Sequence, residues 1–229
     1  MHGVKGNTTT LKQSYLIWLT CSATPYLCTI LKKENAMTKT KPQLTLVKPG
    51  PLLLPQDTGY LMVGQKEFQE AFGIPISPST QALYIKLVEE EHEEWVEQYY
   101  SLNGNDYDEL KELTDLLYVT AGLAYQMKYD MQKTPVYAGD GYYDTSITNL
   151  VSEIALGNKS KHTLGSLMYC IFGYADAMNW PIREAYKRVH ISNLSKLGDD
   201  GKPLRREDGK VLKGPDYKLA DLADLTEGK

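Results

Sequence analysis

The sequence has few cysteines, no excess of basic residues and no long uninterrupted apolar run, and each absence excludes a class of protein. Its 229 residues contain 3 cysteines and no CxxC pair, which argues against a disulfide framework and against a structural zinc site. With 25 basic and 29 acidic side chains the net charge is −4, so no basic field indicates direct binding of nucleic acid. The motif GxxxxGK[ST] does not occur, which excludes a P-loop nucleotide hydrolase.

The most apolar run, Ser14–Leu31, lies near the N-terminus. It contains Pro25 and several polar residues, and its apolar blocks are much shorter than the roughly 20 residues that span a bilayer. A signal peptide is one interpretation of this run. We prefer the interpretation that translation starts at Met37 and that residues 1–36 are upstream sequence, so we expect no membrane partner.

From Lys66 onward the sequence predicts helices that are separated by glycine, proline and asparagine. We expect helices at 66–73, 77–102, 106–129, 146–156, 163–179 and 182–196. A loop is expected at 135–144, and no segment has the alternation that a half-buried strand requires. The predicted fold class is therefore an all-α helical bundle. Three parts are expected, namely an irregular N-terminal extension (1–59), the helical domain (60–198) and a polar basic tail (199–229).

Two helical segments resemble each other. Residues 115–129 and 166–180 share Leu, Tyr, Gly, Ala and Met at five of 15 aligned positions. This similarity indicates either an internal duplication or only a shared helix composition. The later copy has Ser166 where Asp115 stands, so a duplicated segment would have lost its acidic residue.

The first of two acidic patterns lies in the helix predicted at 77–102. At 100° per residue, Glu90, Glu91 and Glu94 fall on the same side as Leu83 and Leu87. We therefore expect these acids to continue the apolar face of the helix. The alternative is a solvated acidic surface, which is the usual role of a glutamate-rich helix.

The second acidic pattern lies in the next helix, where Glu112 and Asp115 cluster with Leu116, Val119 and Leu123 on one face. This second inward pair favours a buried acidic site over a solvated surface. Burying several carboxylates together costs several kcal/mol per ion unless a cation neutralises them. Because these helices offer few inward-facing lysines or arginines, a divalent cation is the simplest counterion, and oxygen ligands favour Mg²⁺ or Mn²⁺.

These acids stand in a recognisable spacing, EExxE at 90–94 and ExxD at 112–115, with 17 residues between them. The spacing resembles the signature of the all-α nucleoside triphosphate pyrophosphohydrolases, the superfamily that includes MazG and the phosphoribosyl-ATP pyrophosphohydrolases. The sequence FQEAFGIP at 68–75 is similar to the family's first helix. Residues 189–217 are similar to the C-terminal stretch of a MazG-like subgroup of phages and bacteria. The resemblance covers 68–217.

The resemblance implies hydrolysis of a nucleoside or deoxynucleoside triphosphate to the monophosphate and pyrophosphate, in the cleansing or remodelling of nucleotide pools. A MazZ-like enzyme that acts on dGTP is one candidate within the subgroup. The resemblance also implies Mg²⁺ or Mn²⁺ as the cofactor and a homodimer or homotetramer. It further implies a cytoplasmic location, which would be the host cytoplasm if a phage encodes the chain.

The resemblance assigns a role to each acid by its position. Glu91, Glu94, Glu112 and Asp115 would hold the metal. Glu90 would support these ligands or orient the attacking water.

Other residues are candidates for substrate binding. Asn193 and Lys196 match the family's NxxK element, which contacts substrate phosphates. Lys210 and Lys213 belong to the basic tail, which either closes over the triphosphate or remains solvated. Trp95 is a candidate for the nucleoside pocket, although a helical tryptophan beside an apolar face is also typical of a core.

The segment between residues 127 and 163 has no counterpart in compact family members. Its tyrosines, Tyr137, Tyr142 and Tyr143, either stack on a base or are simply exposed. The segment as a whole is a candidate for a base-recognition flap or an oligomer contact.

Two other functions stay open at this point. A non-catalytic helical module would keep the acids to bind metal or a basic partner. Glu89-x-x-His92 is half of the motif of di-iron carboxylate bundles, but the second ExxH that such a site needs does not occur.

Overall fold

The computed structural model describes residues 52–53, 58–132, 134–136, 142–198, 200–205, 211–214 and 216–227. The helices in these ranges are α1 (Gly59–Ala71), α2 (Pro78–Tyr100), α3 (Asp106–Gln126), α4 (Tyr143–Ala155), α5 (Lys161–Ala177) and α6 (Ile182–Leu194). Two short strands, β1 (Leu52–Leu53) and β2 (Pro135–Val136), pair antiparallel. The predicted all-α class is confirmed. Our interpretation of residues 1–36 lies outside the described residues.

Short polar side chains start three of the helices. The Ser77 hydroxyl accepts the backbone N–H of Thr80 at 3.1 Å and caps α2. Asn105 caps α3 and Ser160 caps α5 in the same way, at 2.8 and 3.1 Å. Each cap satisfies a backbone N–H that has no partner within the helix. The predicted starts of these three helices are therefore correct to within two residues.

Two predicted helix starts are wrong by three or more residues, and the end of α3 was predicted three residues beyond its observed end at Gln126. Helix α1 begins at Gly59 and not at Lys66, because Leu61, Gly64 and Gln65 already face the core. Helix α4 begins at Tyr143, and β2 occupies part of the segment predicted as a loop. A strand of two residues is too short to show any alternation in the sequence.

Helix α3 is the centre of the bundle. It packs against α1, α2, α5 and α6, and it is buried on almost every side. The tail also reaches the core, because Leu222 and Leu225 are buried with 0% and 8% of their surface exposed. The prediction of a purely polar tail is therefore wrong for its last residues. No helix in the described ranges has both the length and the hydrophobicity that crossing a membrane requires.

Buried glutamines attach α1 to α3. The Gln65 side-chain amide donates to the carbonyl of Tyr118 at 3.0 Å, and that of Gln69 donates to the carbonyl of Gly122 at 3.2 Å. Because buried polar groups are costly unless they are paired, these bonds favour one register of α1 on α3.

The two similar sequence segments share a packing device. A Cβ on Gly122 of α3 would lie 2.1 Å from Cε1 of Tyr84, which belongs to α2. At the corresponding position of α5, a Cβ on Gly173 would lie 2.3 Å from Cε1 of Tyr143, which belongs to α4. In both hairpins the glycine lets a tyrosine ring from the preceding helix lie against the backbone.

The same two segments also end alike. Lys128 and Asn179 follow α3 and α5 with φ values of 57° and 55°. In each case the next residue donates its N–H to a carbonyl five residues earlier, from Tyr129 to Ala124 and from Trp180 to Ala175. This is the hydrogen bond of a left-handed helix end. The same hydrogen bond also ends α1, from Ile74 to Gln69, and α4, from Asn158 to Glu153, so this helix end does not by itself favour duplication over shared composition.

We expect Gly122→Ala to destabilise the fold by about 1–3 kcal/mol, because the new methyl group forces the Tyr84 ring out of its place. The matched control is Gly64→Ala in α1, where the nearest atoms lie at 3.5 Å and the change is expected to stabilise the fold by up to about 1 kcal/mol, because alanine is favoured over glycine inside a helix. Urea unfolding of both variants measures the difference. Equal stability of the two variants would contradict the role given to Gly122.

Candidate metal centre

Carboxylates from two helices meet at one point between α2 and α3. One oxygen each from Glu91, Glu94 and Glu112 lies within 4.8 Å of the others. Glu112 is buried, Glu91 is half-buried and Glu94 is exposed. Asp115 lies one turn beyond Glu112, and we call these four residues the acidic cluster. The structure thus brings together three of the four predicted metal ligands, and the charge of Asp115 acts on Glu91 from the next turn of α3.

The predicted orientation of α2 needs correction. Its buried face is formed by Tyr84, Val88, His92 and other residues, whereas Leu83 is 53% exposed. The acids therefore do not continue the buried stripe. Glu91 lies at its edge, and this position leaves the acidic cluster open to solvent on the side of Glu94. The error arose because a helix with apolar residues on more than half of its surface has no single stripe to extend.

A lysine that the sequence analysis did not consider neutralises part of the acidic cluster. Lys111 Nζ donates to Glu112 Oε1 at 2.8 Å and to Asp115 Oδ2 at 3.1 Å. Our expectation that these helices offer few inward-facing cations overlooked Lys111, which immediately precedes Glu112. A lysine side chain is long enough to bend back over its own helix.

One ammonium group does not neutralise four carboxyl groups, and the pKa values reflect this. Burial, followed by the charges of Asp115, Glu94 and Glu112, raises the pKa of Glu91 from 4.5 to about 8. Burial also raises the pKa of Glu112 and of Asp115. Burial alone would lower the pKa of Lys111, but the neighbouring carboxylates outweigh it and raise that pKa. The carboxyl groups of the acidic cluster therefore keep their protons to a higher pH than usual. A further cation would lower their pKa values and release these protons.

The residues present fit a small divalent cation. Every side chain of the acidic cluster offers only oxygen, the donor that Mg²⁺ and Mn²⁺ prefer. Glu112 Oε2 is buried and has no hydrogen-bond partner among the described residues, so an acceptor is left for such an ion. Two oxygens on opposite sides of an octahedral Mg²⁺ lie about 4.2 Å apart, and two neighbouring ones lie about 3 Å apart. Because the three carboxylate oxygens lie within 4.8 Å of one another, they need to approach one another by at most about 2 Å to share an ion.

Positive side chains lie on the other side of the acidic cluster. Lys196, just beyond α6, is half-buried, and its Nζ donates to Asn193 Oδ1 at 2.7 Å. Burial lowers the pKa of Lys196, and the charge of Lys213 acts in the same direction, whereas Asp115 opposes them. Lys196, of the predicted NxxK element, therefore lies near Asp115, and Lys213 lies near Lys196.

Tyr118 and His190 hold the end of α6 against α3. The Tyr118 hydroxyl forms a hydrogen bond with His190 Nδ1 at 3.0 Å, and His190 Nε2 pairs with Glu67 Oε2 of α1 at 3.1 Å. Tyr118 is also hydrogen-bonded to the Asn193 side chain. This chain of contacts orients Asn193 and, through it, Lys196.

The C-terminal segment returns to the same place. Lys213 Nζ lies 4.7 Å from the centre of the Tyr217 ring, and Lys196 Nζ lies 5.9 Å from it. The backbone N–H of Lys218 donates to the Ser195 hydroxyl at 2.9 Å, which fixes this part of the tail beside α6. Two lysines thus flank one aromatic face. Lys210, also predicted to bind substrate, lies outside the described residues.

Three other candidates do not join the acidic cluster. Trp95 is 1% exposed and packs edge-on against Tyr174 in the core, so it presents no surface to a base. His92 is also fully buried, and its Nε2 lies 3.2 Å from the Thr148 hydroxyl. The di-iron hypothesis therefore lacks its histidine ligand. Glu90 is exposed and lies outside the group of converging carboxylates.

Sequence reasoning missed four residues around this site, Lys111, Tyr118, His190 and Tyr217. Only Tyr217 carried a usable signal, an aromatic residue between lysines in the segment KGPDYK. The other three act through tertiary contacts that no local pattern encodes.

The chain was compared with protein-family models, with curated proteins and with solved structures, and it matches none of them. The family resemblance therefore depends on the quoted motifs together with the geometry described above.

The raised pKa of Glu91 predicts a pH-dependent cost to the metal-free protein. Between pH 4.5 and about 8 the folded state keeps a proton that the unfolded state loses, so stability falls as the pH rises through this window. Without added metal, Glu91→Gln should therefore gain stability over the original protein, by about 1–2 kcal/mol at the upper end of the window after allowance for solvent screening. Thermal or urea unfolding in a chelator at several pH values measures this gain.

The control is Glu93→Gln, an exposed residue of the same helix. Its difference from the original protein should not change with pH. A pH-independent effect of Glu91→Gln would contradict the crowding of charges at the acidic cluster.

Proposed function

We propose that the chain is a metal-dependent nucleoside triphosphate pyrophosphohydrolase of the MazG-like all-α type. The observation that carries the proposal is the convergence of the EExxE and ExxD acids, with the NxxK element and Lys213 beside them. The joint position of carboxylates and ammonium groups suits a ligand that brings both a divalent ion and several phosphate charges. A monomeric metal-storage site would gain nothing from the lysines.

In this proposal the acidic cluster would hold Mg²⁺ or Mn²⁺. When bound, such an ion supplies charge neutralisation at the phosphate oxygens and on the departing pyrophosphate. Lys111 is already bonded to two of the acids and keeps them correctly placed before the ion arrives. Glu112, the most buried of the four, is the ligand whose loss should be felt most.

The lysines Lys196 and Lys213 would bind the phosphates. Asn193 accepts a hydrogen bond from Lys196 and thereby aims its ammonium group. Lys213 is exposed and reaches the site through the returning tail, with Tyr217 beneath it. The tail thus acts as one wall of the substrate site and closes on the charged end of the ligand.

The proposed reaction is the displacement of pyrophosphate by water. The water oxygen forms a bond to the α-phosphorus, the bond from this phosphorus to the bridging oxygen breaks, and that oxygen leaves with the pyrophosphate. Glu90 is exposed and lies outside the converging carboxylates, and in this proposal its side chain would turn toward the bound substrate to orient the water and accept its proton. The positioned charges supply most of the catalysis, and no covalent intermediate with the protein is required.

A homodimer or homotetramer belongs to the same proposal. Leu83 is 53% exposed and shares a helical face with Leu87, Glu90 and Glu94. A second subunit on this face would cover the apolar residues and enclose the open side of the acidic cluster. Nucleotide-pool cleansing or remodelling, including the use of dGTP in a phage, is the role we propose for the assembly.

The decisive test is the product. The purified protein with Mg²⁺ or Mn²⁺ should release pyrophosphate from at least one common nucleoside triphosphate, deoxynucleoside triphosphate or dUTP. Glu112→Gln should reduce this release by about 100-fold or more with the fold intact, because it removes a charged ligand and keeps the shape. Glu93→Gln on the exposed side is the control and should retain full activity.

Two results would overturn the proposal. Orthophosphate as the first product would exclude cleavage between the α and β phosphates. Metal binding by the acidic cluster with no hydrolysis of any substrate would instead favour the non-catalytic metal-binding module.

A second prediction concerns the tail. We expect Lys213→Ala to raise KM by about tenfold with a smaller effect on kcat, because it removes one charge contact to the substrate phosphates. Lys202→Ala is the matched control, since Lys202 is an exposed lysine of the same tail. Steady-state kinetics of both variants decide the point. Equal KM values would show that the tail remains outside the substrate site.

A further inference from the structure

A second concave surface lies on the other side of the bundle, between α5 and α6. It has a volume of about 780 Å³. One wall is a stripe of α5, formed by Tyr169, Phe172, Gly173 and Asp176. Their spacing puts all four on one helical face, which lines the groove, and Tyr169 and Phe172 also pack against the edge of the core. We call this surface the aromatic groove.

Contacts with the rest of the fold hold the aromatic wall of the groove in place. The Tyr143 ring lies so close to Gly173 that a Cβ there would come within 2.3 Å of it, and its hydroxyl is hydrogen-bonded to Tyr169. Trp180 lines the groove with only 4% of its surface exposed, so it supports the wall and offers almost no surface to a ligand. The faces available for stacking belong to the half-buried Tyr169 and Phe172, and the contact with Tyr143 holds Tyr169 in place before any ligand arrives, which reduces the entropic cost of binding.

The opposite wall carries charge. Arg183 and Lys187 are four residues apart on α6 and therefore lie on one face, at the rim of the groove. Glu184 also lines the groove, but its carboxylate pairs with Arg188 Nε at 3.0 Å. The carboxylate of Asp176 lies on the α5 side. The aromatic groove thus combines flat apolar faces, cationic groups and one carboxylate acceptor.

Each of these features matches one part of a nucleotide. A base stacks on aromatic rings, a phosphate pairs with lysine and arginine, and a carboxylate accepts from amino or sugar hydroxyl groups. The volume lies within the range of about 300–1,000 Å³ that small-molecule sites occupy. We propose that the aromatic groove is a second binding site, for a nucleoside phosphate.

This site is separate from the acidic cluster. Arg183 and Asn193 lie ten residues apart on α6, so about 15 Å of helix separates the two sites. The proposal does not depend on hydrolytic activity at the acidic cluster. A protein that hydrolyses nothing would still bind nucleotides in the groove.

The experiment uses the full chain in EDTA, because the metal-free acidic cluster repels phosphate. The probes are the common ribonucleoside 5′-monophosphates and adenosine, and binding is measured by calorimetry and by ligand-observed NMR. At least one monophosphate should bind at millimolar concentrations or below. Lys187→Glu should weaken this binding by about tenfold or more, and Phe172→Ala by a similar factor through lost stacking.

Two further comparisons locate the contacts. Lys86→Glu changes an exposed lysine of α2 and should leave the affinity unchanged. Adenosine lacks the phosphate, so Lys187→Glu should not affect its binding, whereas Phe172→Ala should. Glu112→Gln should also leave monophosphate binding unchanged.

Three results would overturn the proposal. The first is that no monophosphate binds. The second is that Glu112→Gln changes binding and Lys187→Glu does not, which would assign the nucleotide to the acidic cluster. The third is that sedimentation shows a dimer which Lys187→Glu dissociates and no nucleotide competes with, which would assign the groove to a second copy of the chain.

Discussion

Four carboxyl groups on two neighbouring helices repel one another in a space that water only partly reaches. The charged side chains around them compensate part of this repulsion. Lys111 relieves part of it from within the cluster, and Lys196 adds a second charge from the end of α6. Burial and, after it, the remaining negative charge raise the pKa of Glu91 to about 8, so this residue keeps its proton near neutral pH. An uncharged cluster of the same shape would be more stable, so the acids are difficult to explain by folding alone.

The bundle places this cluster in only one of two similar helical hairpins. Both hairpins seat a tyrosine ring on a glycine, at Gly122 and at Gly173, and both end in a left-handed residue. Ser166, which replaces Asp115 in the second hairpin, is completely buried. The first hairpin, α2–α3, therefore carries the acids. In the second hairpin, α4–α5, the corresponding position belongs to the core, and the aromatic residues of α5 line the aromatic groove.

The sequence predicts those features that local chemistry determines. Capping residues such as Ser77 and Asn105 mark where helices begin, and the inward position of Glu112 follows from its apolar neighbours on α3. The orientation of α2 was not predictable, because apolar residues occur around most of its circumference and only the partner helices decide which side is buried. Likewise, the contact of Lys111 with two acids depends on a side-chain conformation, and the approach of Tyr217 depends on the path of a glycine-rich tail.

The ammonium group of Lys111 has a consequence for how an ion would enter. It already supplies one positive charge to Glu112 Oε1 and Asp115 Oδ2, so any further cation would share the acids with this resident group. In the proposed site a doubly charged ion would gain more from the remaining carboxylates than a singly charged ion such as sodium would, so valence would contribute to selectivity alongside size and geometry.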